Sequence, residues 1–165
     1  MSEEPKLNDA DDFFDGNVPW ADADIRHRYE AALGACMLAF NQLDNLLGKV
    51  LKTILVRIRR QDLEDECVSR ANFSQRVRVL DLLKHTTEGT GIADVSIADL
   101  RGVAEERNML AHAHFEQNPF SGEYWLVGKG KTVQQYTAAR IDSVASRIAK
   151  VWMTLHHAEA FYDFH

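Results

Sequence analysis

The chain is poor in the residues that staple or break structure. Its two cysteines among 165 residues, Cys36 and Cys67, form no C-x-x-C pair, which excludes a disulfide framework and a cysteine zinc site. Both read as reduced thiols. There are three prolines and none between Trp20 and Pro119, so the body between them is free to be helical throughout. No apolar run approaches the roughly 20 residues of a membrane span. Lys49, Lys52, Arg57, Arg59 and Arg60 interrupt the greasiest stretch, and a transmembrane role is excluded. Residues 1–15 are acidic and lack an apolar segment, so no secretory signal is expected and the cytoplasm is the expected location. A phosphate-cradling glycine loop, H-E-x-x-H and G-x-S-x-G are all missing, which disfavours ATP hydrolysis, zinc proteolysis and serine-hydrolase chemistry. Solenoid repeats and low-complexity tracts are missing too.

What is there is the balance of one compact domain, 45% hydrophobic and 27% charged. The net charge of −6 is misleading, because it sits almost wholly in residues 1–22, where seven acids face one base. That stretch reads as an acidic, mobile arm with Phe13, Phe14 and Trp20 as docking handles. Residues 23–165 are neutral, and a neutral body with local basic clusters can hold a phosphodiester.

Helical periodicity dominates that body. With Asp24 as N-cap, the apolar stripe Tyr29, Leu33, Cys36, Phe40, Leu43, Leu47, Val50, Ile54 and Ile58 advances in steps of three and four. It makes one helix of about nine turns, or two collinear ones joined at Gly48. Asn72 with Gln75 caps a second helix through Phe73, Val77, Leu80 and Leu83, stopped by Gly89 and Gly91. Ser96 with Asp99 opens a third, through Ile97, Leu100, Ala104 and Ala111. Residues 115–136 change character, and the turn signals at 128–131 predict a small β-hairpin. After Thr137 a last helix carries Ile141, Val144, Ile148 and Leu155 to about Phe161, with Trp152 and Tyr29 expected in the core. The fold class is therefore all-α: an antiparallel four- to five-helix bundle with a small β-hairpin inserted before the last helix. The first stripe carries more apolar surface than a small bundle buries, which predicts a homodimer.

The richest chemistry closes the third helix, in Glu105-Glu106-Arg107-Asn108-Met109-Leu110-Ala111-His112-Ala113-His114. Asn108 and His112 share a helix face, so the amide can orient the imidazole. Arg107 and His112 are five positions apart and diverge by roughly 140°, so they meet only through a long reach, an unwound helix end, or a symmetry mate. The helix dipole alone also favours Arg and His at this end, and this plain structural explanation competes with the functional one.

Arg107-Asn108 followed by His112 resembles the R-polar-x(3–5)-H signature of HEPN domains (higher eukaryotes and prokaryotes nucleotide-binding), in its common form R-N-x-L-A-H. The likeness covers residues 26–161, from the Phe40-x-x-Leu43-Asp44 helix to the last helix. The longer hairpin region departs from it, and the acidic arm lies outside it. The resemblance implies a homodimeric bundle and metal-independent RNA cleavage in a cleft between protomers, with no cofactor. His112 would be the general acid or base, since imidazole titrates near neutrality. Arg107 would hold the scissile phosphate through its planar fork, and Asn108 would orient His112. Asp44 would be the acidic neighbour of the motif, pairing with Arg107 or His112. The family also implies a toxin, defence or stress role, with a protein antitoxin or regulator as partner. The alternative is a catalytically silent module of the same fold that binds a nucleotide, RNA or protein.

Further residues carry weaker readings. His112 and His114 suit two metal ligands, but no third or fourth stands at a recognisable spacing, so no metal is expected. His156 and His157 point to different faces and read as surface residues. Lys49, Lys52, Arg57, Arg59 and Arg60, with no acid between Asp44 and Asp62, form a basic helix end suited to an RNA backbone. Equally, they can complement the dipole and pair with Asp62, Glu64, Asp65 and Glu66.

Overall fold

The computed structural model describes residues 23–112, 114–118, 122–128, 131–133 and 136–162. The acidic stretch at 1–22, with its docking aromatics, lies outside them. The first stripe forms a single unbroken helix, α1 (Ala23–Arg57), with Asp24 inside its first turn rather than capping it. Gly48 is not a joint. It lies where the chain after α1 folds back, with the Val68 side chain 3.5 Å from where a Cβ would stand.

Short helical turns at Gln61–Leu63 and Asp65–Ser69 lead into α2 (Phe73–Leu83). Here the expected capping box is complete. The Gln75 amide donates to Asn72 Oδ1 at 3.0 Å, and the Asn72 amide to Gln75 Oε1 at 2.8 Å. A 3₁₀ turn at Lys84–Thr87 follows, and the reversal uses a positive φ of 79° at Gly89. In α3 (Ile97–His112) the Asp99 amide donates to Ser96 Oγ at 3.1 Å, as the S-x-x-D spacing predicts. His112 is its last residue. In α4 (Ala138–Tyr162) the Arg140 amide donates to Thr137 Oγ1.

The hairpin before the last helix is present, and the sheet is one strand larger than expected. β1 (His114–Gln117) follows α3, β2 (Tyr124–Gly128) pairs antiparallel with it, and β3 (Lys131–Val133) pairs antiparallel with β2. Gly128 and Gly130 marked the turn between β2 and β3. Nothing marked β1, because four residues directly after a helix show too little alternation to read.

Side-chain contacts fix the helix directions. The start of α1 and the start of α4 line one cleft, through Tyr29 and Thr137, and at the far end Arg57 lies 4.3 Å from the Tyr162 ring. The two long helices thus run side by side in one direction. α3 runs against α2: Arg101 pairs with Asp81 near the end of α2, whereas Ala104 and Asn108 face Ser74 near its start. The sheet closes the lower end of α1, where the Tyr29 hydroxyl donates to the Tyr124 carbonyl oxygen at 3.1 Å and its ring meets Tyr124 and Phe115.

The core is continuous. Cys36, Leu43, Leu47, Val50 and Ile54 are buried as the stripe predicts, joined on α1 by Ala32, Leu46, Leu51 and Leu55. This overturns one premise. The stripe has no surplus, because α2, α3 and α4 cover it within a single chain. Only Leu38 and Val56 remain as exposed large apolar residues on α1. Trp152 sits at the edge of the core, half exposed, stacked on His156 at 4.8 Å. His156 and His157 are both exposed, as expected.

Candidate functional site

Arg107 and Asn108 lie on the wall of a cleft of about 280 Å³ formed by α1, the start of α2, and α3. Its lining includes Phe40 and Asp44 from α1, Asn72 and Ser74 from α2, and Ala104 from α3. Ala104 and Asn108 are one turn apart on α3 and share the face turned toward α2, while Arg107 turns toward α1. The Arg107 guanidinium sits 5.1 Å from the centre of the Phe40 ring, and Phe40 is itself propped by Phe73 at 4.7 Å. Among the described residues one hydrogen bond engages that guanidinium, from Nη1 to Asn108 Oδ1 at 3.2 Å, and its buried Nε has no partner.

Arg107, Asn108 and Asp44 line one cleft, but two of the expected pairings differ. Asn108 accepts from Arg107 and does not engage His112, because its amide oxygen is turned to the neighbouring guanidinium. Asp44 pairs with Arg76 rather than with Arg107 or His112. Arg76 Nη1 donates to Asp44 Oδ1 at 2.7 Å and to the Asp44 carbonyl oxygen at 3.3 Å. Nε and Nη2 of Arg76 both donate to the Val68 carbonyl oxygen. Arg76 thereby ties the returning chain and α2 to α1. It was missed because its partners are backbone carbonyls and a residue 32 positions away, neither of which spacing can reveal.

His112, at the end of α3, is exposed and makes no hydrogen bond or ion pair with the described residues. It lines neither the Arg107 cleft nor the neighbouring one. His114 is also exposed, at the start of β1. Among the described residues no three His, Cys, Asp or Glu side chains gather as a metal site would require.

A second cleft of about 280 Å³ continues the first along α2 and α3, sharing Ser74, Ala104 and Asn108 with it. Arg78 and Arg101 line it, with Glu105. Arg101 is held by Asp81 at 2.9 Å, while Arg78 is exposed and forms no ion pair with the described residues. The signal was available: Ser74 and Arg78 are four apart on α2, and Arg101, Ala104, Glu105 and Asn108 follow the i, i+3, i+4, i+7 pattern on α3. A polar stripe in that register lines a wet groove.

The basic end of α1 is largely engaged elsewhere. Lys52 pairs with Glu64 at 2.6 Å and Arg60 with Asp62 at 2.9 Å, as the simple charge-pairing explanation anticipates. Arg57 lies over Tyr162, and Arg59 adopts a left-handed φ of 58° just beyond the helix. Lys49 is exposed and unpaired among the described residues. None of these five lines the Arg107 cleft.

Beneath the motif, on the opposite side of α3, Glu106 Oε1 accepts from Arg147 Nη1 at 2.8 Å. Burial, reinforced by the Glu106 charge, pushes the Cys36 thiol above its ordinary pKa, which keeps it protonated and chemically quiet. Burial likewise raises the Tyr136 phenol, against the opposing pull of Arg140. No helix among the described residues is long and apolar enough to cross a membrane.

No family model, curated protein or solved structure matches this chain.

Proposed function

We propose that the chain is a HEPN-like, metal-independent endoribonuclease working as a homodimer. The observation that carries this reading is the state of Arg107. It lines a cleft with Asp44 and Asn108 while, among the described residues, a single hydrogen bond engages its guanidinium, so its Nη groups can take a phosphate. In the reaction, the ribose 2′-hydroxyl loses its proton and attacks the adjacent phosphorus. The bond to the 5′-oxygen breaks, and that oxygen takes up a proton, leaving a 2′,3′-cyclic phosphate and a 5′-hydroxyl. Arg107 stabilises charge on the non-bridging oxygens, and His112 transfers a proton.

Within one chain His112 stands outside the cleft, so the site needs a second copy, in which Arg107 of one protomer meets His112 of the other. This argument for a dimer is independent of the apolar stripe of α1. A non-catalytic binding module is the second reading. Its support is that Asn108 is turned to Arg107 and Asp44 is occupied by Arg76, so neither disposes the imidazole.

The deciding experiment incubates labelled RNA with the protein in EDTA, alongside Arg107→Ala and His112→Ala, while light scattering reports the mass. Cleavage by a dimer, lost in both variants but restored when the two variants are mixed, supports a shared site. RNA binding without cleavage in all three leaves the binding module. A monomer that cleaves overturns the shared site.

A further inference from the structure

We propose that the groove between α2 and α3 is a track that carries the backbone of a single RNA strand to Arg107, with Arg78 as its principal phosphate contact. The proposal rests on the ribonuclease reading and adds the route and the chemical class of the strand.

Three observations carry it. The two clefts are continuous, since Ser74, Ala104 and Asn108 belong to both, and the groove leads from Arg78 and Arg101 directly to Arg107. Its charge is opposite in sign to that of the whole chain. Arg78, Arg101 and Arg107 line it against Asp44 and Glu105, in a protein of net charge −6. The pairing pattern also divides the cations. Arg76 is tied to Asp44 and Arg101 to Asp81, which leaves Arg78 as the arginine in the second cleft with no carboxylate partner among the described residues. An exposed, uncompensated guanidinium one turn from the Ser74 hydroxyl suits a phosphate, which takes a charged fork and a neutral donor together.

The same lining specifies what is read. A single row of cations between two adjacent helices matches one backbone, whereas a duplex presents two. Base stacking requires exposed ring faces, and the aromatic residues of the groove, Phe40 and Phe73, are buried at 5% and 8% exposure. Contacts along this track are therefore to phosphate and ribose, so the groove favours single strands without strong base preference.

The test uses the full chain carrying His112→Ala, so that bound RNA survives, and measures the affinity for oligo(U) and oligo(A) 12-mers by anisotropy from low to moderate salt. Adding Arg78→Gln should weaken both by about five- to tenfold, as expected for one charged contact. It should also reduce the slope of log affinity against log salt by about 0.7. Arg78→Lys should retain most of the affinity, and Lys150→Gln, on the α3–α4 side, should match the parent. If Arg78→Gln matches the parent in affinity and slope, the track is overturned, while His112-dependent cleavage by the unmodified chain would still uphold the ribonuclease reading. Equal, Arg78-dependent binding of a duplex 12-mer or of polyglutamate also overturns the track, in favour of a duplex or an acidic protein partner. No RNA binding together with no cleavage overturns both proposals.

Discussion

Arg76 and Arg107 face the same part of α1 from two different helices and are used in opposite ways. Arg76 spends its guanidinium inside the fold, on Asp44 and on the Val68 carbonyl, with its side chain 16% exposed. Arg107 rests on Phe40 with one weak bond to the neighbouring amide and a buried Nε that no described residue satisfies. A saturated arginine positions chain segments, whereas an unsaturated one at a cleft is available for a ligand. The difference is not in residue type or helix propensity. It comes from what the returning chain at 65–72 brings within reach.

Substitutions should separate the two roles. The largest effect is expected from Arg107→Ala, which should lower cleavage by about 10²- to 10³-fold, roughly 3–4 kcal/mol in the barrier, comparable to removing one oxyanion donor. Its melting temperature should stay near that of the parent. Arg107→Lys keeps the charge without the fork and should fall between the two. Arg76→Ala should show the reverse pattern, losing about 2–3 kcal/mol of stability in urea because Asp44 and the Val68 carbonyl are left without their donor. If Arg76→Ala melts like the parent, or Arg107→Ala unfolds, the contrast between the two arginines collapses.

Asn108→Ala sharpens the comparison by removing the bond from the Arg107 guanidinium to the neighbouring amide. The expected loss is about 1 kcal/mol in the cleavage barrier, with little change in stability. An effect as large as that of His112→Ala would mean that the amide turns to the imidazole during turnover.

The smallest effect is a control that touches neither arginine. Burial, aided by the nearby Glu123 charge, pushes the Tyr29 phenol up to about 12 from its ordinary 10. Tyr29 therefore holds its proton more tightly in the folded chain than in the unfolded one. Its contribution to stability is complete below pH 10 and is lost as the pH rises toward about 12. An alkaline melt that weakens the parent but spares Tyr29→Phe would confirm that the loss arises where the sheet meets α1.

Much of this arrangement was legible along the chain. The stripe from Tyr29 to Ile54 marked α1, the Asn72–Gln75 and Ser96–Asp99 pairs marked two helix starts, and Gly128 marked a turn, because each is a local regularity with a local cause. The strand at His114–Gln117 escaped notice, since it is too short for alternation to accumulate. The premise of surplus apolar surface on α1 failed for a different reason. Periodicity shows that a face is apolar but not how many neighbours cover it, and here three helices do.

The sequence by itself determined which stretches form the four long helices, that Arg107 and Asn108 lie in the closing turns of the third, and that Arg107 and His112 diverge on it, because 3.6 residues per turn sets the angle between them. Only the tertiary structure decided that Asp44 belongs to Arg76, that Asn108 turns to Arg107, and that the stripes carrying Arg78 on α2 and Arg101 on α3 face one another beside the cleft. Those outcomes depend on which helix lies against which and in what direction. Side-chain reach across an interface is set by packing between segments tens of residues apart, and no local pattern encodes it.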